Sequence, residues 1–157
     1  MRPTHPMIPL TETARLTASD EQTMKIDGRC HCGRITYEAV VDPETVEICH
    51  CTDCQSLSGS AFRTVVPAPE ASFKLLSGQP KIYVKTGESG ARRAQAFCPE
   101  CGTPIYSTAA GDGQKFYGIR VGTVRQRDQL PSRTQYWVRS AQHWIDTLGS
   151  IPKVEKQ

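Results

Sequence analysis

The sequence predicts a mainly β domain, rich in loops and stapled by metal. Three observations carry this. Seven cysteines fall in three tight groups: Cys30-His31-Cys32, Cys49-His50-Cys51-Thr52-Asp53-Cys54 and Cys98-Pro99-Glu100-Cys101. Stretches with strand character recur about every ten residues with turn residues between them, the spacing of an all-β domain. The hydrophobic fraction is only 38%, while the chain holds 12 glycines and 11 prolines.

In chain order, residues 1–24 are polar, carry Pro3, Pro6 and Pro9, and show no periodicity beyond a weak helical hint at Thr11 to Leu16. They are expected to form an extension outside the folded domain. Gly28 and Gly33 flank the first thiol pair and free the backbone for a tight metal loop. Arg34 to Val41 alternates polar and apolar residues, as a half-buried strand does, and Asp42-Pro43 ends it. Val46-Glu47-Ile48 is a short strand that runs into the triplet. Thr52 is a good N-cap and Gly59 a good stop, so one short helix is expected over Asp53 to Ser58. From there the chain reads as β: Ala61-Val66, Ser72-Leu76, Lys81-Lys85, Arg92-Phe97, Ile105-Ser107, Phe116-Val121 and Tyr136-Trp137-Val138. Ser77-Gly78-Gln79-Pro80, Gly87-Glu88-Ser89-Gly90 and Gly111-Asp112-Gly113 are the clearest turns. Trp144-Ile145 is expected to anchor the C-terminal segment on the sheet, and residues 151–157 form a polar tail. The domain itself is set at 25–150.

A chain of 157 residues suits one domain and is long enough to bury a core. Its net charge of +3 comes from 19 basic and 16 acidic residues, and no basic run is longer than two residues. Nucleic acid is therefore not an expected partner. No stretch approaches the roughly eighteen apolar residues of a membrane span. Thr4, His5, Pro6, Thr11, Glu12 and Thr13 interrupt any secretory signal core. Cysteines at metal-site spacing fit a reducing compartment, so the expected location is the cytoplasm. The residues do not define an oligomeric state.

The triplet has C-x-C-x2-C spacing, which can bring three thiols to one soft cation, zinc being the usual one. Three protein ligands leave a position open, which is the catalytic arrangement. The C-x-C and C-x2-C pairs supply four thiolates, enough for one closed structural site. Seven thus divides into four and three: a structural zinc on Cys30, Cys32, Cys98 and Cys101, and an open, catalytic zinc on Cys49, Cys51 and Cys54. Cys54 falls in the first helical turn, where the thiolate form is favoured. His31 and His50 sit in the middle of C-x-C pairs. Their side chains point away from the metal in an extended backbone, so both are read as non-ligands. Asp53 can orient a group beyond the metal or complement the helix dipole, and the second is favoured. Arg63, Arg92 and Arg93 can meet carboxylates, although a solvated strand face suits each of them alone. Trp137 and Trp144 are read as core. His5 and His143 carry no pattern.

The order C-x-C-G, C-H-C-x-D-C and F-C-x-x-C-G-T-P, together with Ser58-Gly59-Ser60-Ala61-Phe62, resembles the glutathione-dependent formaldehyde-activating enzyme family, which shares a domain with centromere protein V. The resemblance runs from about Gly28 to Trp144. It implies an Mss4-like, β-tent fold and the same division of the cysteines into a structural and a catalytic zinc. It also implies a carbon–sulfur lyase-type activity that forms S-hydroxymethylglutathione from glutathione and formaldehyde. The partners expected are then a small glutathione-like thiol and an aldehyde. Three thiolates around a 2+ ion blunt its Lewis acidity, so capture of the thiol is favoured over activation of the carbonyl. The competing reading is a non-catalytic zinc-binding interaction module or adduct carrier. A scaffold gains nothing from an open reactive site, and the chain has no long basic or low-complexity tail. A disulfide redox protein fits Cys98-Pro99-Glu100-Cys101 but not the C-x-C pairs.

Overall fold

A computed structural model describes residues 22–157; the expected extension and its weak helix lie almost wholly outside them. Ten strands and one α-helix follow one another as β1 Met24–Arg29, β2 Thr36–Val41, β3 Glu47–Cys49, α1 Thr52–Ser58, β4 Arg63–Pro69, β5 Phe73–Ser77, β6 Lys81–Thr86, β7 Arg92–Phe97, β8 Pro104–Ala109, β9 Phe116–Arg120 and β10 Thr134–Tyr136. They form a three-stranded sheet, β1-β2-β5, and a seven-stranded sheet, β10-β3-β4-β9-β8-β7-β6. All pairings are antiparallel except β10 with β3. This is the mainly β architecture expected, here in two sheets, with the short helix after the triplet.

The core lies between the sheets. Ile26, Tyr37, Ala39 and Val41 from the small sheet meet Val66, Ala68 and Ile119 from the large one. Phe73 sits at the centre of an aromatic group, with ring centroids 5.4 Å from Tyr37, 5.2 Å from Tyr106 and 4.9 Å from Tyr117. Such offset and edge-on contacts add to the burial of large rings.

Side chains alternate across a strand, and directly paired residues share a face. Val66, Ile119, Tyr106 and Ala96 therefore point to the core. Cys49 and Arg63 are paired, as are Val65 and Arg120, and Gln95 and Ser107. These residues occupy the opposite face of the large sheet. The sheet curls around that face. Arg63 on β4 donates to Gln95 on β7, three strands away, a separation of about 14 Å in a flat sheet. Asp53, just beyond β3, reaches Lys85 on β6. The large sheet is thus apolar toward the core and polar within its own curl.

Several expectations are corrected. β1 was not foreseen as a strand; it pairs with β2 along its whole length, Met24 opposite Val41. Its Asp27 is held by Arg125 and Gln126, partners nearly a hundred positions away. The last strand is Thr134–Tyr136, and Trp137 follows in the left-handed region at φ 58°. Trp137 and Trp144 are not core but 43% and 47% exposed. The segment after Gln142 is a 3-10 helix, His143–Ser150, with no buried residue, so Trp144 does not anchor it.

Gly28 matters for space, since its φ is ordinary. An added Cβ would collide with the Tyr37 ring and approach Thr123 O to 2.6 Å. Tyr37 is fully buried and its hydroxyl bonds Thr123 Oγ1 at 2.7 Å. Neither side can retreat. Gly28→Ala is expected to lower the stability of the metal-loaded protein by about 1–3 kcal/mol, read as a shift in the midpoint of urea unfolding. An unchanged midpoint would contradict the packing described.

Candidate metal centres and active site

The first thiol cluster joins the two sheets. Cys30 and Cys32 lie in the turn between β1 and β2, and Cys98 and Cys101 in the turn between β7 and β8. Their four Sγ atoms lie within 4.8 Å of one another. Cys30 Sγ is 3.5 Å from Cys32 Sγ, and Cys32 Sγ is 3.8 Å from Cys98 Sγ. A tetrahedron of Zn–S bonds near 2.3 Å has edges of about 3.8 Å, so the donor set fits zinc. The surroundings are those of thiolates. Ile35 N–H donates to Cys30 Sγ at 3.3 Å, and the Thr103 hydroxyl donates to Cys101 Sγ at 3.1 Å. The Thr103 hydroxyl is the main influence that holds Cys101 well below an ordinary thiol. Cys30 and Cys98 are fully buried, while Cys32 faces solvent.

The second cluster is built by the end of β3 and the start of α1. Cys49, Cys51 and Cys54 place their Sγ atoms within 4.8 Å of one another, and no histidine, aspartate or glutamate joins them among the described residues. Cys51, not Thr52, is the N-cap: its Sγ accepts from Cys54 N–H at 3.3 Å. A sulfur that faces metal-site partners thus also satisfies the helix end. The helix stops where expected, at Gly59 with φ 63°. A hydrogen bond from the Cys54 thiol holds Cys49 far below an ordinary thiol, and the same bond, followed by burial, drives Cys54 far up. Three thiols this close cannot all ionise without a cation among them. The donor set therefore fits a bound soft cation.

The remaining candidates fall into place around this cluster. His50 is buried and turned to Gln135, Nε2 to Oε1 at 2.8 Å, with Phe62 against its edge. Asp53 forms an ion pair with Lys85. Gln55 donates to His50 O at 2.7 Å and Ser140 O at 2.9 Å, fixing α1 to the triplet and to the segment after β10. Arg92 is exposed and Arg93 half-buried. Arg63, expected on a solvated face, is only 6% exposed and lies directly across the strand pair from Cys49. Burial lowers its pKa, while the charges of the three cysteines oppose that shift. Sequence reasoning missed Lys85, Gln95, Arg120 and Gln55. No local motif marks them, and only the register and the curl of the sheet bring them to the site. A cavity of about 640 Å³ opens beside the cluster, lined by Cys51, Asp53, Lys85, Trp137, Arg139 and others.

The fold and the site define a class: a small β domain carrying two cysteine clusters suited to zinc, one of four thiols and one of three. The chain belongs to the glutathione-dependent formaldehyde-activating enzyme family, whose model matches residues 25–140. The crystal structure of a Rhodobacter sphaeroides protein from the Northeast Structural Genomics effort is similar in fold, with a TM-score of 0.53 and 18% identity. The similarity covers 69% of this chain and 98% of that one. No curated protein shows a significant match. Among the described residues no helix is long and apolar enough to cross a membrane.

The two clusters are expected to differ in what their loss does. Cys32 and Cys98 are 66 positions apart, so the first cluster ties distant segments together, and structural zinc contributes folding energy directly. Metal analysis of protein purified under reducing conditions should approach two zinc per chain. Cys98→Ser should aggregate or melt at much lower temperature. Cys54→Ser should stay folded and fall to one zinc. Equal melts for the two variants, or one zinc in the parent, would overturn this division.

Proposed function

We propose that the protein is a zinc-dependent carbon–sulfur lyase-type enzyme acting on adducts of a small thiol and an aldehyde, such as S-hydroxymethylglutathione formed from glutathione and formaldehyde. The observation that carries this is the cluster of three thiols with no fourth protein ligand among the described residues, beside a cavity. Cys49, Cys51 and Cys54 would hold the catalytic zinc, and Cys30, Cys32, Cys98 and Cys101 a structural one. The bound metal would supply an open position of soft character and favour the thiolate form of a thiol held there.

The chain's own residues set the rest. His50 is engaged by Gln135 and Asp53 by Lys85, so neither competes for that position. Arg63, paired with Cys49 across the strands, favours negative charge at the cluster. The cavity has room for a thiol and a one-carbon electrophile side by side, and proximity and deprotonation are the two sources of rate. In the forward direction the thiolate sulfur attacks the carbonyl carbon, a C–S bond forms, and the carbonyl oxygen takes up a proton. No oxidant or reductant enters. None of the seven cysteines is in a disulfide, which suits a reducing cytoplasm.

A catalyst cannot move the equilibrium between formaldehyde, glutathione and their adduct; it only speeds the approach. Exchange spectroscopy at low protein concentration is expected to show acceleration above the spontaneous rate, and Cys51→Ser to abolish it. If the parent instead depletes free adduct in proportion to its own concentration, the protein is a carrier. If it does neither, the formaldehyde assignment fails.

A further inference from the structure

The two cysteine clusters differ by one donor, and that difference selects a second kind of ligand. The Sγ atoms of Cys49, Cys51 and Cys54 lie within 4.8 Å of one another, and among the described residues no histidine or carboxylate joins them. The polar side chains nearest in sequence are engaged elsewhere: His50 is turned to Gln135 and Asp53 is paired with Lys85. Cys30, Cys32, Cys98 and Cys101 form a set of four. A cation that takes four ligands is closed by the set of four and left incomplete by the triplet. A centre that takes three is completed by the triplet alone.

Trivalent arsenic is such a centre. It is soft, so thiolates are its preferred ligands, and it forms three bonds in a pyramid. Its lone pair takes the fourth tetrahedral direction, and no further donor is needed. The fold holds the three sulfurs ready for this shape. Cys49 ends β3 and is paired with Arg63 on β4. Cys51 Sγ accepts from Cys54 N–H at 3.3 Å, which sets the second and third sulfurs relative to each other. Gln55 donates to His50 O at 2.7 Å and ties α1 back to the stretch between Cys49 and Cys51. After the first As–S bond the other two form within one molecule, and little ordering remains to oppose them. All three thiols are half-buried and none is sealed off. The cavity of about 640 Å³ that Cys51 lines gives arsenous acid, a small neutral molecule, a way in.

We propose that the triplet captures arsenous acid, with Cys49, Cys51 and Cys54 as its three ligands. Three As–S bonds replace three As–O bonds. Each thiol gives its proton to a departing hydroxyl, so three waters leave, and arsenic stays trivalent with no electron transferred. A zinc ion already on the triplet is displaced, and three protons from solvent then complete the waters. The set of four keeps its own metal, because arsenic there would leave one sulfur without a partner. Capture needs only the convergence of the three thiols and goes beyond the lyase reading without resting on it. It also closes the open position: a triplet bound to arsenic has no direction left for a substrate thiol.

The test uses the whole protein as purified, in a phosphine reductant so that no competing thiol is present. Sodium arsenite is added, and intact mass, zinc release to a coloured chelator and alkylation of free thiols are read together. The expected product holds one arsenic per chain, with one arsenic atom gained and three hydrogens lost. Cys49, Cys51 and Cys54 should be shielded from alkylation, and one zinc should be released where the triplet held one. Cys54→Ser, which keeps two of the three sulfurs, should bind arsenic more weakly by about tenfold or more. No arsenic on the parent overturns the proposal, as does arsenic held through two thiols only, or an equal affinity in a folded Cys54→Ser. Arsenic on Cys30, Cys32, Cys98 or Cys101 overturns it as well. The mass and the shielded thiols of the parent decide the question without any variant, so a misfolded Cys54→Ser leaves the decision intact.

Discussion

Mutual repulsion among thiolates is the constraint on which the structure depends. Four sulfurs within 4.8 Å are stable as thiolates only around a cation. Two come from the turn that opens the small sheet and two from a turn of the large sheet. The cluster therefore adds a second tie between the two sheets beside the core they share. The core between them joins short side chains such as Ala39, Val41, Val66 and Ala68 to Tyr37, Ile26, Ile105 and Ile119. A cation held by these four thiols would staple the two sheets together, in the way that structural zinc contributes folding energy.

The same arrangement separates fold from function across one sheet. Alternation gives each strand of the large sheet a core side and a far side. Val66 and Ile119 look inward, whereas Arg63, Arg120 and Gln95 look into the curl. Site residues can thus be polar and charged without disturbing the packing behind them. The cost of burying Arg63 and Arg120 falls on the site face and not on the core.

Much of this was legible in the sequence, and the part that was not has a physical reason. The three cysteine groups are local geometries, C-x-C, C-x2-C and C-x-C-x2-C, that the backbone fixes within a few residues, and counting ligands, not spacing, joined the first group to the third across 66 positions. Arg92–Phe97 was read to the residue, since strand character and flanking turns are equally local. β1 was missed because Met24-Lys25-Ile26-Asp27 is too short a pattern to stand out from the polar segment before it; its partners are Val41 and, through Asp27, Arg125 and Gln126. Arg63 read as solvated for a similar reason. Its burial depends on the β3–β4 register and on the curl that brings β7 over β4, and neither is written in its own neighbourhood. The tryptophans failed in the opposite direction. Composition favours burying an indole, but Trp137 takes a left-handed backbone at a chain reversal and lies under the Arg139 guanidinium, 4.7 Å from its ring centroid.

The open cluster is positioned by polar contacts that do not involve a metal. α1 has seven residues, too short to persist by its own hydrogen bonds. It is held at its start by Cys51 Sγ, at Asp53 by Lys85 of β6, and at Gln55 by His50 O and Ser140 O. Gln142 adds a bond to Gln55 Oε1 at 2.9 Å. These ties draw on β6 and on the segment after β10, the two ends of the large sheet. Closing the curl and orienting Cys54 are therefore one event. A thiol site whose geometry is set by the fold before the cation arrives loses little on binding it.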